Sequence, residues 1–162
     1  MSYHLMNKDN KILSFSIENA GTYIDGKVKL ADEIIDVDKL PLGFKTSDIL
    51  GSLRKWLDKR KSPQNRKNIS HLIQVLGAKN REGFIKATNG ASLNDTFWAK
   101  ETGSNLKWKD VSFYQNSFDE QTGELAFSGT SFSENFSTPT PELSTNGLYA
   151  KCWIKKMIKH IF

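Results

Sequence analysis

The residues whose types and spacing come closest to a chemical site lie late in the chain, in Ser144-Thr145-Asn146-Gly147-Leu148-Tyr149-Ala150-Lys151. Asn-Gly accepts the positive φ of a tight turn, and small residues leading into a strand let backbone N–H groups approach a phosphate. Lys151 is placed to add charge there. An ordinary turn has the same composition, so spacing leaves both readings open. Cys152 adjoins Lys151, which would lower the thiol pKa on close approach, yet no histidine is placed to make it a nucleophile. His4, His71 and His160 have no second His, Cys or Glu at metal-ligand spacing, and His71 reads as a boundary residue beside an apolar helical stripe. Asp119-Glu120 reads as favourable charge at a helix start. There is no Gly-x-Ser-x-Gly elbow, no Walker-type Gly-Lys-Ser/Thr and no dinucleotide fingerprint, so spacing proposes no complete active site.

The elements that would position these groups are constrained by composition. The chain has 162 residues with ten Phe, four Trp and four Tyr, enough to bury a real core in one domain or two small ones. It has no run of eighteen apolar residues, no signal-peptide pattern and a single cysteine, which together predict a cytoplasmic protein with no membrane partner. The net charge of +5 is unevenly spread: residues 45–86 carry eleven basic and three acidic side chains, whereas the flanks are close to neutral. Such a segment meets nucleic acid, an acidic partner or only water.

Residues 3–6 and 12–17 are β-prone runs separated by the polar turn Asn7-Lys8-Asp9-Asn10, which predicts a hairpin with Leu13, Phe15 and Ile17 on one face. A third strand is predicted over residues 23–30. From Thr46 or Ser47 the period becomes helical, with Ile49, Leu50, Leu53, Trp56 and Leu57 on one stripe. A second helix is predicted from Ser62 and Pro63 to Gly77, and a third over residues 81–88, ended by Asn89-Gly90. In Ser92-Leu93-Asn94-Asp95-Thr96-Phe97-Trp98, Ser92 and Asp95 are expected to accept backbone N–H bonds while the apolar residues anchor the segment. Residues 118–127 read as a short helix and 128–147 as a long loop.

The first two helices, joined by a basic turn, also fit a helix-turn-helix. On that alternative the chain is a DNA-binding module using the basic helices of residues 45–86. Arg60, Lys61, Arg66 and Lys67 would contact nucleic acid, with Gln64, Asn65 and Asn68 on the same exposed face.

Three segments in order carry a family resemblance: residues 91–98, ending Leu93-Asn94-Asp95-Thr96-Phe97-Trp98; residues 106–118, with Trp108-Lys109-Asp110; and residues 141–153, with Thr145-Asn146-Gly147 and Lys151-Cys152-Trp153. Together they resemble the N-terminal portion of HipA-like serine/threonine kinases of bacteria and their mobile elements. There a Leu-Ser-Leu-x-Asp-x-Tyr-Trp element precedes a Trp-x-Asp segment and a Thr-Ser/Thr-Asp/Asn-Gly turn. Leu40-Pro41-Leu42-Gly43, the helix around Trp56 and residues 63–77 fit the same pattern.

The resemblance implies an α+β fold: a small N-terminal β-hairpin or sheet with packed short helices, then an aromatic, loop-rich segment ending in an incomplete kinase-like N-lobe strand. Residues 1–127 would be an accessory subdomain, with a seam near residue 90. Residues 128–162 would be a loop and a truncated glycine-rich phosphate loop. Ser144, Thr145, Asn146, Gly147 and Lys151 would line that phosphate loop, and Ser144 or Thr145 would be phosphorylation positions.

ATP and Mg²⁺ serve the full-length family, but the catalytic-loop aspartate and the metal-binding residues are not among the nine residues after Trp153. The expectation is therefore a chain with no cofactor and no catalytic residue of its own, truncated by a frameshift or separately encoded as in toxin–antitoxin systems. Its partners would be a kinase core subunit or the missing C-terminal lobe, and a helix-turn-helix antitoxin. Exposed aromatics around Trp98 and Trp108 would anchor the interface.

Overall fold

The computed structural model describes residues 1–21, 25–34, 36–60 and 80–116. The predicted hairpin is present: β1 (Ser2–Asn7) and β2 (Asn10–Glu18) pair antiparallel through the two-residue turn Lys8-Asp9, with Lys8 at a φ of 51°. Tyr3, Leu5, Leu13, Phe15 and Ile17 are all buried on one face, where strand alternation places them together. Tyr3 and Phe15, opposite one another in register, stack with ring centroids 5.5 Å apart.

The third strand runs later than the sequence pattern predicts. β3 (Lys27–Ile34) pairs with β2 from Glu18 back to Leu13, carrying the strand past the predicted end at residue 30 into Asp32 and Glu33. Cross-strand pairing outweighs the poor β-propensity of its acidic residues. Val28 enters the core, and Leu30 packs against it.

Helix α1 (Ile49–Lys59) starts two to three residues after Thr46 or Ser47, from which the helical period is predicted, because Asp48 caps it. Its Oδ1 accepts the Gly51 N–H at 2.9 Å. Leu53, Trp56 and Leu57 form the buried stripe, with Ile49 and Leu50 packed at its margin. Just upstream, Phe44 N–H donates to Pro41 O at 3.0 Å and Gly43 adopts a φ of 88°, which presents Leu42 fully to solvent at the turn's corner.

Helix α2 (Arg81–Thr88) ends as predicted, with Asn89 left-handed at a φ of 52° and Gly90 following. Asn80 caps its start, accepting the Gly83 N–H at 2.8 Å.

The segment after residue 90 contains a strand that the turn-like reading of residues 92–98 omits. β4 (Phe97–Glu101) pairs antiparallel with β1, giving the sheet order β3-β2-β1-β4. This pairing crosses the seam expected near residue 90, so residues on either side of it share one sheet. A single helical turn, α3 (Trp108–Val111), follows.

Two cores result. On one side of the sheet, Tyr3, Leu5, Leu13, Phe15, Ile17, Val28 and Ala99 meet Leu53, Trp56 and Leu57 of α1 and Ile85 of α2. Met6 and Trp98 point to the other side, where they cluster with Ala91, Trp108, Val111 and Phe113. The fold is a small mixed α+β unit, and among the described residues no helix is long and apolar enough to cross a membrane.

Candidate functional site

The first two resemblance segments converge on the β1–β2 turn. Lys8 N–H donates to Thr96 O at 3.0 Å, and the Trp98 indole Nε1–H donates to Lys8 O at 2.7 Å. Asp9 Oδ1 accepts the Trp108 N–H at 2.8 Å. Asp110 Oδ2 accepts the Lys107 N–H at 2.8 Å, closing the first turn of α3. The Tyr114 hydroxyl donates to Leu93 O, tying the two segments to each other. Within residues 92–98, Ser92 Oγ accepts from Asn94 N–H at 3.1 Å and Asp95 Oδ1 from Phe97 N–H at 3.0 Å, as predicted.

These bonds overturn the expectation of exposed tryptophan anchors. Trp98 is 0% and Trp108 7% exposed. Both rings are consumed by the second core, and Trp98 also spends its indole N–H on the Lys8 carbonyl, so neither ring is left to present to a partner.

Arg60 is also corrected. Expected to contact nucleic acid, it is 6% exposed, its Nη2 donates to Asp95 Oδ2 at 2.5 Å, and its guanidinium lies 4.6 Å above the Trp56 ring. Burial pulls the guanidinium below its ordinary pKa, and Asp95 opposes that shift. The cation is thus committed to an internal carboxylate and ring. Beneath it, the Trp56 Nε1–H is a buried donor without a hydrogen-bond acceptor.

Lys61, Arg66 and Lys67, and with them the predicted second helix, lie outside the described residues. So do Ser144, Thr145, Asn146, Gly147 and Lys151, the helix predicted over 118–127, and the 127/128 boundary. Among the described residues no group of three or more His, Cys, Asp or Glu is arranged to hold a metal ion.

Two polar clusters carry no local sequence signal, because strand pairing and tertiary packing assemble them. In the first, the Tyr3 hydroxyl donates to Glu82 Oε1 at 3.2 Å, and the Met1 ammonium donates to Ile17 O at 2.7 Å with Glu82 Oε1 3.7 Å away. Burial, and then the Glu82 charge, push the Tyr3 phenol well above its usual pKa. In the second, on the opposite face, His4 Nδ1 and Ser14 Oγ are 2.9 Å apart in a hydrogen bond.

Compared with known proteins, the chain matches no family model, no curated protein and no solved structure.

Proposed function

We propose that this chain is the non-catalytic N-terminal subdomain of a HipA-like, toxin–antitoxin-type kinase, acting in the bacterial cytoplasm as a protein-interaction or regulatory partner of a kinase core. The observation that carries the reading is the use made of its resemblance residues. Asp95, Trp98, Trp108 and Asp110 each fill a scaffolding position, as an ion-pair partner, a core ring that binds a turn carbonyl, a second core ring and a cap. A motif spent on interlocking a small sheet with a helical turn suits an accessory module.

On this reading the phosphate-loop-like residues Ser144 to Gly147 and Lys151 belong to the incomplete N-lobe strand that a kinase core completes. ATP and Mg²⁺ would be held by that core. With Trp98 and Trp108 internal, docking falls to other surfaces, of which Leu42 at its turn is the most exposed apolar side chain among the described residues.

The test is twofold. Purified chain incubated with γ-labelled ATP and Mg²⁺ is expected to transfer no phosphate to itself or to a generic substrate. Mixed with a HipA-like kinase core lacking its own N-terminal segment, it is expected to co-elute as a complex. Metal-dependent phosphoryl transfer by the isolated chain, or failure to co-elute at micromolar concentrations, refutes the reading.

A further inference from the structure

Asn followed by Gly is the dipeptide most prone to spontaneous loss of its side-chain amide, because a residue without a Cβ leaves its backbone nitrogen free to attack the neighbouring side-chain carbonyl. The chain carries two, each within the triplet Thr-Asn-Gly: Thr88-Asn89-Gly90 and Thr145-Asn146-Gly147. The first lies at the junction between α2 and β4.

The reaction closes a five-membered ring through Asn89 Cα, Cβ and Cγ, so the Gly90 nitrogen must lie on the side of the Asn89 Cα–C bond where Cβ stands. In the fold it does not. Asn89 is left-handed, with a φ of 52° and a ψ of 19°, so the Gly90 nitrogen nearly eclipses Asn89's own nitrogen and is held away from Cβ. Two hydrogen bonds fix that rotation. Gly90 N–H donates to Thr88 Oγ1 at 3.0 Å in a buried bond, and Asn89 O accepts the Ala99 N–H of β4 at 2.7 Å. Both groups belong to one planar peptide unit, so turning the nitrogen toward Cβ breaks both bonds together. The residues that follow resist the same rotation. Gly90 is buried beside the Trp56 ring, and Ala91, 0% exposed, donates its N–H to Thr88 O at 3.0 Å.

We propose that Asn89-Gly90 is a latent deamidation and isomerisation site, locked by this peptide plane in the folded state and released when the α2–β4 junction opens. Once the plane turns, hydroxide removes the Gly90 N–H proton and the nitrogen's electron pair forms a bond to Asn89 Cγ. The Cγ–Nδ2 bond breaks, and Nδ2 takes a proton from water and leaves as ammonia. Water then opens the cyclic imide. Cleavage at Cγ gives aspartate on an unchanged backbone, which tolerates the left-handed position as asparagine does. Cleavage at the main-chain carbonyl gives isoaspartate, whose backbone runs through Cβ and Cγ. There the carbonyl that accepted Ala99 N–H has become a free carboxylate, and the spacing to Gly90 N–H has grown by one atom, so the lock cannot re-form. Opening of the junction thereby becomes irreversible in the molecules that isomerise.

The experiment incubates the whole chain in mildly alkaline buffer, folded and in urea, and follows Asn89 by peptide mapping with mass spectrometry, isoaspartate being separated from aspartate by chromatography. Asn146 in urea, within the same triplet, calibrates the intrinsic rate. Conversion at Asn89 is expected to be slower in the folded chain by about tenfold or more, as for a group that reacts only from an opened state. Thr88→Val, which removes the acceptor of the Gly90 N–H, should speed conversion in the folded chain by about fivefold. A reading without any variant comes from hydrogen exchange of the folded wild type, in which the Gly90 amide is expected to exchange slowly. After urea is removed from partly converted chain, the refolded fraction isolated by gel filtration should retain aspartate at position 89 and be depleted of isoaspartate. Equal rates at Asn89 with and without urea overturn the proposal, as does a Gly90 amide that exchanges at the unprotected rate. An unchanged rate in folded Thr88→Val overturns the assignment of the lock to the Thr88 bond, and isoaspartate carried undiminished into the refolded fraction overturns its irreversibility. No kinase or nucleotide enters the experiment, so its failure is separable from failure of the kinase-partner reading.

Discussion

Arg60, at the C-terminal end of α1, reaches Asp95 in the loop before β4 at 2.5 Å while lying 4.6 Å over the ring of Trp56. The pair joins positions 35 residues apart and fixes the end of the helix to the loop that feeds β4. Burial makes the partnership asymmetric: the Arg60 side chain is 8% exposed and that of Asp95 34%. Removing the carboxylate therefore strands a cation that water reaches poorly, whereas removing the cation leaves a carboxylate that water solvates.

Asp95→Asn is accordingly expected to cost more than Arg60→Met. The first should lose about 2–3 kcal/mol, below the usual range for breaking a fully buried pair because Asp95 is partly hydrated. The second, which keeps an apolar stem over Trp56, should lose about 1 kcal/mol or less. Urea denaturation of the two variants measures both values, and the reverse order would show that the pair is not limited by Arg60 burial.

Trp56 and Trp98 give a second contrast. Trp98 donates its indole N–H to Lys8 O, while the Trp56 N–H is buried without an acceptor. Replacing each by Phe removes a bonded donor in one case and an unsatisfied one in the other. Trp98→Phe should therefore be the more destabilising by about 1–2 kcal/mol, even though Trp56→Phe also weakens the stacking with Arg60. Equal losses in chemical denaturation would mean that ring volume alone decides.

How much of this was legible from the residues follows from the range of the forces involved. The β1–β2 hairpin, α1 and the end of α2 rest on alternation, helical period and local turn chemistry, all contained in windows of a few residues. β4 was not legible. Ala99, Lys100 and Glu101 are poor strand formers, and only pairing with β1, more than ninety positions earlier, makes them extended. β3 was displaced for the same reason. Arg60 read as a phosphate contact because a basic residue ending an amphipathic helix usually faces solvent, and nothing in the sequence ties it to Asp95. Trp98 and Trp108 read as anchors because a tryptophan's burial depends on what folds over it, here Val111 and Phe113. The phosphate-loop residues from Ser144 to Lys151 lie outside the described residues, so that part of the candidate site rests on resemblance alone.

Gly90 tests the join between α2 and the second half of the sheet. Its φ is 59°, its N–H donates to Thr88 Oγ1 at 3.0 Å, and an added Cβ would sit 3.4 Å from the Trp56 ring. Gly90→Ala is therefore strained in backbone, and its methyl would meet the Trp56 ring, over which Arg60 lies, at contact distance. The expected loss is about 1–2 kcal/mol. Leu42→Ser, at a fully exposed corner, should change stability by less than about 0.5 kcal/mol. Thermal denaturation of the two variants side by side separates a conformational requirement from a merely exposed position.

Tyr3 gives the pH prediction. Its phenol is held above the ordinary value by burial first and by Glu82 second, and it donates its hydrogen to that carboxylate. The folded state thus keeps its proton at pH values where the unfolded chain, titrating near about 10, has released it. In that window the native state binds more protons than the unfolded state, so stability falls as pH rises. The contribution is complete below pH of about 10 and is lost progressively above it. Lysines titrate in the same range, and Tyr3→Phe isolates the phenol: the difference in unfolding free energy between wild type and variant should be constant from pH 7 to 9 and shrink above 10. At neutral pH the variant should be less stable by about 1–2 kcal/mol, because Glu82 loses a donor. A difference that stays flat through pH 11 would place the phenol in contact with solvent and detach it from Glu82.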